Sequence, residues 1–185
     1  MRELGAEIHE MQFQRLMYEY LQIEFDVSLT EIELIYWDNA APGEAMPYAS
    51  ELLKRLKKNG IRTGVISNIG FSGHALTTRL NRLLPDNCFE FVIASSEYMI
   101  RKPNPMLFEL ALRKAGLEAK DVWFCGDSPN ADIKGASSVG IYPVWYEDET
   151  MDNPWRNPNN GVDPDCDHLH IHDWLELINV LEDAD

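Results

Sequence analysis

The stretch Val122-Trp123-Phe124-Cys125-Gly126-Asp127-Ser128-Pro129-Asn130-Ala131-Asp132-Ile133-Lys134-Gly135-Ala136 decides how this chain is read. Its first four residues suit a short strand, and Gly126 ends it. Asp127 and Ser128 follow at the strand's carboxyl end, and residues 130–138 read as a helix with Asp132 near its start. Outward from this stretch the same alternation recurs. Upstream come a strand at 61–66, a helix around 72–84, a strand at 89–94 and a helix over 104–115 that stops at Gly116. Downstream come a strand at 141–145, a long loop over 147–167 rich in Asp, Asn and Pro, a strand at 168–171 and a helix at 174–181. Strand alternating with helix predicts an α/β domain, a Rossmann-like parallel sheet with helices on both faces.

The N-terminal third has a different rhythm. Ile8, Met11, Leu16, Met17, Tyr20 and Leu21 fall near one stripe at helical spacing. Ser28 with Glu31, and Thr30 with Glu33, offer overlapping capping boxes for a second helix through Ile32, Ile35 and Tyr36. Ala41-Pro42-Gly43 breaks the chain, and Leu52, Leu53 and Leu56 predict a short helix stopped by Asn59-Gly60.

In an open parallel sheet, ligands bind beyond the carboxyl ends of the strands. Ser67 and Asn68 stand there after the first strand, Arg101-Lys102-Pro103-Asn104-Pro105 beyond the second, and Asp127 through Asp132 after the third. A hydroxyl, a lysine and a pair of carboxylates on one sheet edge suit phosphoryl transfer. Ser67 and the backbone amides after it can donate to phosphate oxygens, and Lys102 can neutralise developing charge. Asp127 is a hard oxygen ligand suited to Mg²⁺. Asp132 can hold a metal-bound water or orient Lys102. Each residue also has an ordinary reading, as turn chemistry, solvated lysine or helix-terminal charge. Their joint order at successive strand ends favours the site.

Three strings make the resemblance specific: Val65-Ile66-Ser67-Asn68, Arg101-Lys102-Pro103-Asn104-Pro105-Met106-Leu107-Phe108, and Phe124-Cys125-Gly126-Asp127-Ser128 through Asp132-Ile133-Lys134-Gly135-Ala136. They resemble the second, third and fourth motifs of the haloacid dehalogenase superfamily, over about residue 45 to the end. The resemblance implies catalytic roles for Lys102 and Asp132, substrate binding by Ser67 and Asn68, and Mg²⁺ on Asp127. It divides the chain into a helical cap segment at 1–44 and a core at 45–185.

The family's first motif, an Asp-x-Asp string that supplies the nucleophile and the general acid, does not occur before residue 67. The nearest imitation is Asp26-Val27-Ser28-Leu29-Thr30, and residues 21–29 alternate like a half-buried strand. The capping boxes favour the cap, with Asp26 in a loop between helices and Trp37 and Asn39 as candidate substrate contacts. The core is then expected to lack its central first strand. That leaves two strand edges unpaired, to be filled by residues 21–29, by another copy or by collapse of the sheet.

Sixteen basic residues against 31 acidic ones give a net charge of −15, which disfavours a grip on nucleic acid. No apolar run spans a membrane. The start lacks a secretory segment, and Cys88, Cys125 and Cys166 show no metal spacing, so a cytoplasmic setting with packing cysteines is expected. His168, His170 and His172 share one face of a strand. A solvated edge strand is the expected reading, because ligands from one strand do not enclose an ion. Asp163, Asp165 and Asp167 lack the glycine and terminal glutamate of a calcium loop, and His74 is read as a surface residue near the phosphate end. The expected function is Mg²⁺-dependent hydrolysis of a small phosphorylated metabolite by an enzyme whose nucleophile is missing here. The rival is an inactive remnant that binds a phospho-ligand or a partner. An unfilled central strand would favour a homo-oligomer.

Overall fold

The computed structural model describes residues 5–147 and 163–183. The predicted 147–167 loop lies mostly outside them. Among the described residues seven α-helices run in chain order: α1 (Glu10–Tyr20), α2 (Leu29–Ala40), α3 (Ala49–Lys58), α4 (Gly73–Leu83), α5 (Pro105–Ala115), α6 (Gly135–Ser138) and α7 (Trp174–Asp183). Five strands intervene: β1 (Thr63–Ser67), β2 (Phe89–Ala94), β3 (Trp123–Gly126), β4 (Tyr142–Tyr146) and β5 (Leu169–Ile171).

Local chemistry sets many of the boundaries. Ser28 caps α2 in a full capping box with Glu31. Asn104 and Pro105 open α5, and Gly116 closes it with φ of 65°, a conformation that favours glycine. The helix expected over 130–138 is two pieces. Residues Pro129–Lys134 form a π-type turn, and only Gly135–Ser138 are α-helical.

All strand pairs are parallel, but they form two sheets, β1-β2 and β3-β4-β5. Among the described residues no ladder joins β1 to β3. The expected break in the sheet is therefore present. Residues 21–29 do not fill it: apart from Leu29, which opens α2, they are an exposed connection between α1 and α2. Their alternation fails as a strand signal because the Ser28–Glu31 box starts a helix where the strand would have to continue.

The split core is held from below. Phe108 of α5, Ala136 and Ile141 form a buried cluster, against which Ile66 of β1 and Phe124 of β3 both pack. A second cluster joins α2 to α4 and β2 through Trp37, Ala75, Leu76 and Ala94. A third packs α3 and α7 against β4 and β5. The stripe expected on α1 is not buried: Leu16 is 62% exposed and Tyr20 80%, because α1 meets little beyond α2. The cysteines are not core packing either. Cys88 and Cys125 are accessible and Cys166 half-buried, all as free thiols. Desolvation by the protein around its sulfur nevertheless pushes the Cys125 thiol up to about 12.

Trp37, a candidate substrate contact by sequence, is buried and stacks on Phe71 with ring centres 4.3 Å apart. Asn39 donates to the Ile35 carbonyl one turn back. Glu33, only 2% exposed, accepts from the Ser72 amide at 2.7 Å and the Ser72 hydroxyl at 2.6 Å. It therefore serves the N-terminus of α4 and forms no box with Thr30. Removing a buried, charge-assisted acceptor of two donors costs more than removing an exposed one. Glu33→Ala should lower the unfolding free energy by roughly 1.5–3 kcal/mol. Glu97→Ala, which removes an exposed acceptor of the Gly73 amide, should cost about 1 kcal/mol or less. Urea unfolding of both variants checks this, and equal losses would refute the distinction.

Candidate functional site

β1 delivers Ser67 and Asn68, and β3 delivers Gly126 and Asp127, at the carboxyl ends of strands in separate sheets. Lys102, in the turn before α5, spans the two. Its backbone is clamped by the Asn68 amide: Lys102 N–H donates to Oδ1 at 2.7 Å, and Nδ2 donates to the Lys102 carbonyl at 2.9 Å. Its Nζ donates to the Ile66 carbonyl at 3.0 Å and pairs with Asp132 Oδ1 at 2.5 Å. The ammonium also lies 5.0 Å from the centre of the Phe124 ring.

Both charges of the pair are buried, with 8% of Lys102 and 4% of Asp132 exposed. Burial of an ion pair is tolerable only when the remaining donors and acceptors are satisfied. Here the second Asp132 oxygen accepts from the Ser128 amide at 3.0 Å. Ser128 in turn caps the π-type turn by accepting from Ala131. This turn brings Asp132 back over the end of β3, into the space that a side chain at residue 126 would occupy. Gly126 is therefore required by the close approach of a carboxylate. Gly135 plays a like part, since a Cβ there would meet the Phe108 ring at 2.8 Å and Pro103 Cα at 3.2 Å.

Five residues were expected here. Direct bonds tie Asn68, Lys102 and Asp132 together. Half-buried Ser67 ends β1, and exposed Asp127 follows β3. His74 is exposed in the first turn of α4, and exposed Asp26 lies in the α1–α2 connection. Sequence reasoning missed a neighbouring group. Residues 5–7 pair antiparallel with 99–101 through one bridge, Ala6 to Ile100. Glu7, buried, meets Ser95 Oγ at 3.1 Å and the Arg101 guanidinium at 3.4 Å. Ser95 Oγ also accepts from the Ile69 amide at 2.9 Å, which holds the turn after β1. Neither Glu7 nor Ser95 belongs to a readable string, since the contact joins residues far apart in the chain.

This constellation repeats, in order and in space, the motifs read from the sequence. The family model described as haloacid dehalogenase-like hydrolase matches residues 5–140. The chain belongs to that family. Glyceraldehyde 3-phosphate phosphatase of Pyrococcus abyssi is 34% identical over 104 residues, covering 55% of this chain and 42% of the relative. A haloacid dehalogenase-like (HAD) phosphatase from Thermococcus onnurineus shares the fold with a TM-score of 0.63 over 90% of this chain and 69% of that one, at 23% identity. A 2-haloacid dehalogenase from Pseudomonas syringae pv. Tomato DC3000 matches at 30% identity and a TM-score of 0.54, over 75% of this chain and 54% of that one. The chain spans about half the length of the curated relatives it matches. No helix among the described residues of this HAD-like hydrolase is long and apolar enough to cross a membrane.

Removing one member of a buried ion pair leaves the other unpaired, at a cost of about 3–5 kcal/mol, whereas removing both charges costs far less. Lys102→Met and Asp132→Asn should each destabilise this protein strongly. The double variant should regain roughly half of the loss, read from a urea double-mutant cycle. Strictly additive losses would mean that the pair is not coupled.

Proposed function

We propose that this chain carries the phosphate-handling part of a Mg²⁺-dependent phosphomonoester hydrolase acting on small phosphorylated metabolites. The observation that carries the reading is the Lys102 ammonium, fixed between the Ile66 carbonyl and Asp132 at the strand ends next to Asp127. A buried, rigidly held cation at a sheet edge is preorganised to stabilise charge on a transferring phosphoryl group. Phosphatases among the relatives support that class of substrate.

The donor set fits Mg²⁺ in part. Asp127 presents an exposed carboxylate, and Mg²⁺ commonly takes one or two carboxylates and completes its shell with water and phosphate. Asp132 has both oxygens engaged, by Lys102 and by the Ser128 amide, which suits a residue that orients Lys102. Bound Mg²⁺ would neutralise phosphate charge as a Lewis acid. The acid at 127 also favours phosphate over halide in this reading, since carbon–halogen cleavage in the family uses no metal. Ser67 contributes its hydroxyl and Asn68 its backbone, because the Asn68 side chain is engaged with Lys102.

Hydrolysis then runs by attack of a carboxylate on phosphorus. The ester P–O bond breaks, the leaving oxygen takes a proton, and water cleaves the acyl phosphate. Glu7, Glu33, Glu97 and Asp132 already have partners, and Asp26 sits in an exposed connection. In this reading the attacking carboxylate comes from a segment beyond these 185 residues, seated as a strand between β1 and β3. Residues 1–44 act as the cap that selects substrate, and the setting is cytoplasmic. A strand from a second copy of the chain is an alternative filling for the gap between β1 and β3, one that would not bring this nucleophile.

The test is hydrolysis of an aryl phosphate in Mg²⁺, with the chain alone and with a strand bearing Asp-x-Asp fused ahead of it. The expected result is turnover only in the fused protein, reduced roughly 100-fold or more by Asp127→Asn. Mg²⁺-dependent turnover by the chain alone, abolished in Asp127→Asn, would place the nucleophile inside it. A folded fusion without turnover would favour a non-enzymatic, ligand-binding protein.

A further inference from the structure

The three alternate histidines change meaning once the sheet is assembled. β4 and β5 pair in parallel, Trp145 opposite His170 and Tyr146 opposite Ile171. The ladder continues by one bond, Glu147 N–H to the Ile171 carbonyl at 2.9 Å. Glu147 is thereby fixed beside the end of β5. Its carboxylate lies 3.0 Å from His170 Nε2. His172 Nδ1 lies 3.3 Å from the Glu147 carbonyl. The His170 ring is itself positioned, stacked at 4.1 Å and 10° on the buried Trp145. His168, with its ring centre 6.1 Å from that of His170, meets the Cys166 carbonyl instead.

Two histidines on one strand do not enclose an ion, but a carboxylate from a second strand end alters the geometry. One ligand atom from each of Glu147, His170 and His172 lies within 4.8 Å of the other two. Around a tetrahedral zinc with bonds of about 2.0–2.2 Å, ligand atoms sit roughly 3.4 Å apart, so a contraction of the two exposed histidines toward the half-buried Glu147 completes three positions. We infer that Glu147, His170 and His172 form a binding site for a divalent transition metal of the zinc type, with water in the remaining position. Two imidazoles and one carboxylate suit Zn²⁺, Ni²⁺ or Cu²⁺, whereas Mg²⁺ and Ca²⁺ prefer all-oxygen shells. The net charge of −15 draws cations to the surface generally. The site lies at the carboxyl ends of β4 and β5, on the same sheet edge as Asp127 but built from other residues, and does not rest on the proposed phosphatase activity. Metal bound there would cross-link the end of β4 to β5.

The test uses the full chain without an affinity tag, titrated calorimetrically with ZnCl₂ while Mg²⁺ is in large excess. The expected result is about one equivalent of Zn²⁺ bound with micromolar affinity and a rise in the unfolding temperature. His172→Ala and Glu147→Gln should each weaken binding by roughly 10-fold or more and remove the thermal shift, while His74→Ala, at an exposed histidine outside the site, leaves both as in the parent. The exposed His172 makes its truncation compatible with folding, and circular dichroism verifies that. Failure of the parent chain to bind Zn²⁺ would overturn the assignment. So would Zn²⁺ binding that survives both His172→Ala and Glu147→Gln.

Discussion

The hydrogen bonds and ion pair of Lys102 are the constraint on which the site depends. Among the described residues the sheet is divided, and no backbone ladder holds the end of β1 in position against the end of β3. Lys102 crosses the division: Asn68 and the Ile66 carbonyl grip it from one side, and Asp132 from the other. A buried ammonium is costly to hold, and it is tolerated here because two acceptors and a ring face receive it. Beneath it, Phe108 and its neighbours bring Ile66 and Phe124 into one apolar cluster. Non-directional burial and one directional ion pair thus do together what a strand ladder does in an unbroken sheet.

A second set of contacts ties α2 to α4 and to the segment between β1 and α4. Glu33 receives the amide and hydroxyl of Ser72 at the start of α4. Trp37 stacks on Phe71, just before that start, and the Arg79 guanidinium lies over the Trp37 ring at 4.3 Å. Arg79 also donates to the Ala41 carbonyl at the end of α2. These bonds position α2 against the segment that follows Ser67 and Asn68. A movement of α2 would therefore be felt by the segment that follows β1, which is the coupling the proposed cap would require.

Much of this was legible because it is written locally. The β2 boundaries, the Ser28 capping box and the Gly116 stop follow from residues within a turn or a strand of one another. Lys102, Asp127 and Asp132 were readable because each sits in a short string at a strand end. The misses are contacts between distant positions. The engagement of Glu33 with Ser72, of Glu7 with Ser95 and Arg101, and of Asn68 with Lys102 depends on how elements dock, which no periodicity encodes. Residues 21–29 alternate in hydrophobicity, yet alternation needs a neighbouring strand before it becomes one. The pairing of His170 with the Glu147 carboxylate was not legible either, because the two groups come from different strands.

The central claim is that the ends of β1 and β3, joined by Lys102, form a single phosphate site. The most direct measurement is NMR chemical-shift mapping of the ¹⁵N-labelled chain with inorganic phosphate and Mg²⁺. The account predicts saturable shifts of the Ser67, Asn68 and Asp127 amides and of the Lys102 side-chain ammonium, with β5 undisturbed. Shifts confined to other surfaces, or to only one of the two strand ends, would contradict it.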